Sequence, residues 1–187
     1  MARVDIRNIR TEQAIESALL EVLAEKPISE IGVSEVAQRA GISRSTFYAH
    51  FNNLDEVVDR LMERFCSRTS TLTEQLACAG CEHPAGREPF CRQIRDAGEF
   101  DALVGDPQFL SRALDMFIDL GNDTTARSLE HSGVPADIAA AISRFQVCGC
   151  YTVATNLDRD VDWSRIQEAL DTFIAAGLEA VEARYRS

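Results

Sequence analysis

Between Gly32 and Phe51 the sequence reads GVSEVAQRAGISRSTFYAHF, and one cluster of its side chains shares a single kind of chemistry. Arg44, Ser45, Thr46, Tyr48 and His50 supply a guanidinium, two hydroxyls, a phenol and an imidazole. Such groups hydrogen-bond to phosphate oxygens and base edges without the repulsion that a carboxylate would bring. No acidic residue occurs from Val36 to Leu54. The interleaved apolar residues Val36, Ala37, Ala40, Ile42 and Phe47 form the complementary set, expected to pack inward and leave the polar set outside.

A second group of residues suggests different chemistry. Cys78, Cys81, His83 and Cys91 bracket a loop rich in glycine and proline, and thiolates with an imidazole are ligands that can enclose zinc tetrahedrally. A metal-responsive or thiol-redox-responsive protein is therefore the alternative reading. Cys148 and Cys150, two apart on an expected helix, point to different faces and do not form a shared site. A cysteine–histidine nucleophile pair lacks any recognisable third orienting group, and there is no glycine-rich phosphate loop. The chain is expected to be no enzyme and to need no cofactor.

These residues must be positioned by helices. Apolar residues recur at helical spacing and no convincing strand alternation appears, so the chain is expected to be all-α. The first helix spans about Asn8 to Lys26, with Ile15, Ala18, Leu19, Val22 and Leu23 on its buried side and Pro27 ending it. Val33 to Ala40 forms a second helix, with Gly32 at its start and Glu35 placed to reach back to it. Gly41 stops that helix, and Ser43 caps a third over Arg44 to His50. Two short helices around a glycine turn are the layout of a helix-turn-helix.

A fourth helix starts near Asn53, with Glu56 as its capping partner, and runs towards Leu76 along Leu54, Val57, Val58, Leu61, Phe65, Leu72 and Leu76. Further helices are expected at about 90 to 104, 107 to 120, 123 to 131, 135 to 157 and 164 to 184. Breaks fall at Gly105-Asp106-Pro107, Gly121-Asn122, Ser132-Gly133 and the acidic turn from Asp158 to Asp162.

The chain has 187 residues, 45% of them hydrophobic and 26% charged, which suits a globular protein with its own core. No apolar run approaches the roughly 20 residues that cross a bilayer, and the N-terminal residues lack the apolar core of a signal peptide. A cytoplasmic location with reduced thiols is expected. The net charge of -11 argues at first against a nucleic-acid partner. Its distribution answers the objection. Residues 1–53 carry six basic and seven acidic side chains, so nearly all the excess acid lies downstream.

The segment with Ala37, Gly41, Ser43, Thr46, Phe47, Tyr48, His50 and Phe51, after one helix and before a long fourth, resembles the DNA-binding region of TetR-family transcriptional regulators over residues 8–60. The resemblance implies a three-helix DNA-binding domain over 1–53, joined to a helical effector-binding and dimerisation domain over 54–187. It implies that Arg44, Ser45 and Thr46 open the recognition helix, that Tyr48 and His50 hold phosphates, and that Ser34 adds a backbone contact. Gly32 and Leu54 depart from the family, standing where relatives often carry a phosphate-touching threonine and a lysine. Arg3, Arg7 and Arg10 are candidates for a compensating arm along the duplex.

The same resemblance implies a homodimer that binds a palindromic double-stranded operator and a small-molecule effector that releases it, which is the behaviour of a repressor. Ala140, Gly149, Ala154, Ala176 and Gly177 would allow close helix approach between subunits. Phe90, Phe100, Leu103, Phe109, Leu114, Met116 and Phe117 are candidates for an apolar effector cavity, matched to a hydrophobic or aromatic ligand.

Overall fold

The computed structural model describes residues 6–68, 90–119 and 124–186. Every regular element among them is helical. The chain divides into two compact units, residues 1–70 with 98–109 and residues 71–97 with 110–187.

The first unit holds α1 (Ile6–Leu23), a 3-10 turn (Ile28–Glu30), α2 (Val33–Arg39), α3 (Arg44–His50) and α4 (Leu54–Arg68). The expected inward side of α1 is the observed one, with Ile15, Ala18, Leu19, Val22 and Leu23 all buried. The helix begins two residues before Asn8. It ends at Leu23 because Glu25 and Lys26 both donate their N–H to Val22, tightening the chain into a turn ahead of Pro27.

The turn between α2 and α3 is a Schellman motif. Gly41 sits at φ 70°, its N–H bonds to the Gln38 carbonyl at 3.1 Å, and the Ile42 N–H bonds to the Ala37 carbonyl at 2.9 Å. Gly32 has no side chain with which to close a box, and Glu35 does not turn back to it. Its carboxylate pairs instead with Lys26 at 2.8 Å. Ser43 caps α3 as its sequence position predicts, its oxygen accepting from the Thr46 N–H at 3.0 Å. At the start of α4, Asn53 accepts from the Glu56 N–H, while the Glu56 carboxylate reaches the Asn52 N–H, one residue further out than a simple capping box.

The core of this unit is made where α1 meets α2, α3 and α4. Phe47, Val36, Leu19, Val57 and Leu61 are fully buried there, with Phe51 and Phe65 beside them. Leu72 and Leu76, expected to continue the α4 side, lie outside the described residues.

The stretch 98–109 belongs to the same unit. The single helix expected over 90–104 is instead interrupted. A first piece, α5 (Phe90–Arg95), stops before Gly98, whose φ of 64° suits glycine and breaks the helical path; a 3-10 turn (Gly98–Phe100) and α6 (Asp101–Val104) follow. Phe100 and Phe109 pack edge-on against Phe65, with ring centroids 5.6 and 5.9 Å away. Asp106 is buried and uses both carboxylate oxygens, one accepting from the Ile28 N–H and the other from the Gln108 N–H, each at 2.8 Å. The buried carboxylate of Glu16 is matched by Arg64 of α4, which also lies over the Phe100 ring.

The second unit contains α5 together with α7 (Phe109–Asp119), α8 (Thr124–His131), α9 (Ala136–Asn156) and α10 (Trp163–Tyr185); of α7, Phe109 itself belongs to the first unit. Both α5 and α8 pack on α9. Ala126, Leu129, Val134 and Ala139 make a small core closed by Leu178, Val181 and Tyr185 of α10. A second Schellman turn ends α8, with Gly133 at φ 90°. A Cβ there would sit 3.1 Å from the Tyr185 carbonyl oxygen. At the opposite ends of α9 and α5, Arg95 is buried against the Trp163 ring, 4.8 Å from its centroid, and donates to the Leu157 and Asp158 carbonyls.

Candidate nucleic-acid interface

Helix α3 is held from beneath by Phe47, which is fully buried, and at its two ends by the Ser43 cap and the buried Phe51. Helical geometry then decides what faces outward. Arg44 and Ser45 are exposed on the first turn and Ser34 is exposed on α2. Tyr48 is 49% exposed, its ring edge-on to Phe47 at 5.5 Å. Thr46 is half-buried, and its hydroxyl shares a hydrogen bond with the Ser43 hydroxyl at 2.8 Å, as Ser45 does at 2.7 Å. Three hydroxyls are thus clustered at the start of α3. Arg44, Ser45 and Tyr48 lie on the same short element with open side chains.

His50 is placed differently. Its side chain is only 13% exposed, and its Nδ1 lies 3.5 Å from a carboxylate oxygen of Glu12 on α1. The other oxygen of Glu12 accepts a hydrogen bond from Arg60 of α4 at 2.7 Å. Three helices meet through this one carboxylate. The absence of acid along 36–54 did not anticipate it, because Glu12 arrives from a segment distant in sequence.

Other basic groups are committed within the unit. Arg39 of α2 is bound by Glu25 at 2.9 Å and Glu21 at 3.5 Å, and the hydrogen bond to Glu25 is the main reason its guanidinium is held above its ordinary range. Arg7 and Arg10 are exposed on the first turns of α1 and are therefore helical rather than an extended arm. Arg3 lies outside the described residues.

The effector candidates separate. Phe100, Leu103 and Phe109 are buried in the first unit, the two phenylalanine rings against Phe65. Leu114 is half-buried on α7. Phe90, Met116 and Phe117 have described helix positions on α5 and α7, but their side chains lie outside the description. Of the alternative metal set, Cys78, Cys81 and His83 lie outside the described residues, and Cys91 is buried on α5. No group of three potential metal ligands occurs among the described residues. No helix among them is long and apolar enough to cross a membrane.

Residues 15–61 match the sequence profile of the bacterial regulatory proteins of the tetR family, a span that covers α1 from Ile15, the glycine turn, α3 and half of α4. This part of the chain is similar to the helix-turn-helix domain of that family. Similarity to individual proteins covers two fifths of the chain or less. An HTH-type transcriptional regulator of Bacillus subtilis, YxbF, is 36% identical over 66 residues, 35% of this chain and 17% of its own length. The HTH-type transcriptional regulator EthR of Mycobacterium tuberculosis is 34% identical over 74 residues, 40% of this chain and 32% of its own length. An HTH-type transcriptional regulator of Haemophilus influenzae is 36% identical over 53 residues. The matched part thus spans a third or less of the length of these relatives.

Proposed function

We propose that the chain is a DNA-binding transcriptional regulator that reads a palindromic operator as a homodimer and is released from it, as a repressor, by a small molecule bound in the second unit. It would act in the cytoplasm and carry no catalytic site. The observation that carries this reading is the solvent-facing set Arg44, Ser45 and Tyr48 on an α3 that lies within the span similar to the tetR family. Arg44 and Ser45, at the N-terminal end of α3, reach base edges; Thr46 stands beside them, and Ser34, Tyr48 and His50 hold phosphates.

Dimerisation is part of the mechanism, since two recognition helices must lie about 34 to 36 Å apart to enter successive major grooves. The second unit offers a surface for it. Phe145 on α9 and Phe173 on α10 are 71% and 67% exposed, and Ala140, Gly149, Ala176 and Gly177 lie exposed on the same two helices. Of the small residues proposed for close approach, Ala154 is buried within its own chain. Release would follow from linkage: the effector must bind more tightly to the conformation whose recognition helices are wrongly spaced.

Selection of bound duplexes from a random pool tests the reading. Enrichment of a two-fold symmetric site is the expected result, and that site then serves to screen hydrophobic and aromatic compounds for release. A protein that enriches no sequence is not the regulator proposed here.

A further inference from the structure

The placement of His50 carries a consequence for how it would hold a phosphate, one that rests on the reading of α3 as a DNA-binding helix. Its Nδ1 faces the Glu12 carboxylate at 3.5 Å, so the proton of a neutral ring is favoured on that nitrogen. Nε2 of such a ring is an acceptor. A phosphate oxygen is also an acceptor, and the two repel rather than bind. Only the imidazolium donates from both nitrogens, to Glu12 on one side and to phosphate on the other.

The surrounding charges agree with this. From α1 the ring meets Glu12; from α4, Arg60 bonds the other oxygen of that carboxylate; on α2, Arg39 is engaged well away from it, by Glu21 near the end of α1 and Glu25 in the turn that follows. With a neutral His50, Glu12 and Arg60 balance one another, and the group has no net charge to offer a polyanion. Protonation leaves the trio with one positive charge. At 13% exposure His50 is shielded enough for its neighbours to matter.

We propose that His50 engages the DNA backbone as an imidazolium held by Glu12, so that operator binding takes up a proton from solvent at this residue. Glu12 is then a positioning residue, acting on DNA through His50. The sign follows directly. A proton gained on binding strengthens the complex as pH falls, by at most about tenfold per pH unit for each bound chain, across the range where the free ring is neutral.

The test uses the full-length protein and the symmetric duplex enriched from the random pool. Titration calorimetry at pH 8 in buffers of different ionisation enthalpy counts the protons taken up. Wild type is expected to take up protons on binding. H50Q, whose neutral amide can still donate, should bind with that uptake removed, and E12Q should reduce it. R60M, which leaves the Glu12 carboxylate to His50 alone, should keep it. Nitrogen-15 spectra of the imidazole in the complex should show both ring nitrogens protonated, a readout that stands even if E12Q does not fold. Equal proton counts in wild type and H50Q, or a neutral ring in the complex, overturn the inference while leaving DNA binding intact. Loss of uptake in R60M equal to that in E12Q overturns the role of Glu12. A pool that yields no enriched duplex overturns both this inference and the reading beneath it.

Discussion

Arg44 stands on the first turn of α3, exposed and without an ion pair among the described residues, so under the proposed function its guanidinium would meet a duplex without first breaking an ion pair. Substituting Arg44→Ala is expected to weaken specific operator binding by about 1 to 3 kcal/mol if the side chain reads a base, with the thermal midpoint unchanged. A titration at two salt concentrations separates the possibilities, because loss of a phosphate contact instead lowers the salt slope. Gly41 acts on the other side of the same helix. Its φ of 70° lies in the left-handed region, so Gly41→Val should lower stability by about 1 to 2 kcal/mol in a denaturant titration, by straining the turn that sets the angle of α3. Arg44 and Gly41 were both legible in the sequence, since a polar face without acids and a glycine between two helical patterns are local signals. The surroundings of His50 were not. Glu12, His50 and Arg60 lie on three helices, and nothing in the spacing of any one of them announces a shared carboxylate.

Among the elements, those ended by a local device were the easiest to foresee. The boundaries of α3 follow from Ser43 and Phe51, and the end of α8 from Gly133, each a short-range choice that the sequence states openly. The stretch from 90 to 104 shows the opposite case. Its apolar spacing suits one continuous helix, but Gly98 takes a positive φ and the chain turns so that Phe100 and Phe109 meet Phe65, a partner more than thirty residues earlier. Tertiary packing overrode helical periodicity there. Asp106 secures the outcome by binding the Ile28 and Gln108 amides, and its burial makes the bonds consequential. Replacing Asp106→Ala should therefore cost about 1 to 3 kcal/mol of stability, because a partly buried N–H is left without its acceptor. Amide hydrogen exchange should show the loss concentrated in the 3-10 turn after α1; unchanged protection at Ile28 would mean that the bond contributes nothing.

On the scale of the whole molecule, the chain passes from the first unit to the second, returns for residues 98–109 and leaves again. A fragment that ends at residue 53 would lack Val57, Leu61 and Phe65, which are buried with α1, and is expected to give the circular dichroism of an unfolded chain. Assembly is tested at Phe145 and Phe173. Charged replacements at both, F145R with F173R, should leave the melting temperature within a few degrees of wild type while sedimentation shows single chains and operator affinity collapses. A double variant that still sediments as a pair would place the subunit contact elsewhere.

The Arg95–Trp163 stack gives the protein a built-in optical probe. Trp163 is the only tryptophan in the sequence, and the guanidinium 4.8 Å from its ring ties the emission of the indole to the junction where α5, α9 and α10 converge. Any compound that loosens this junction will change the brightness or colour of that light, so candidate effectors can be screened on the unmodified protein without a dye.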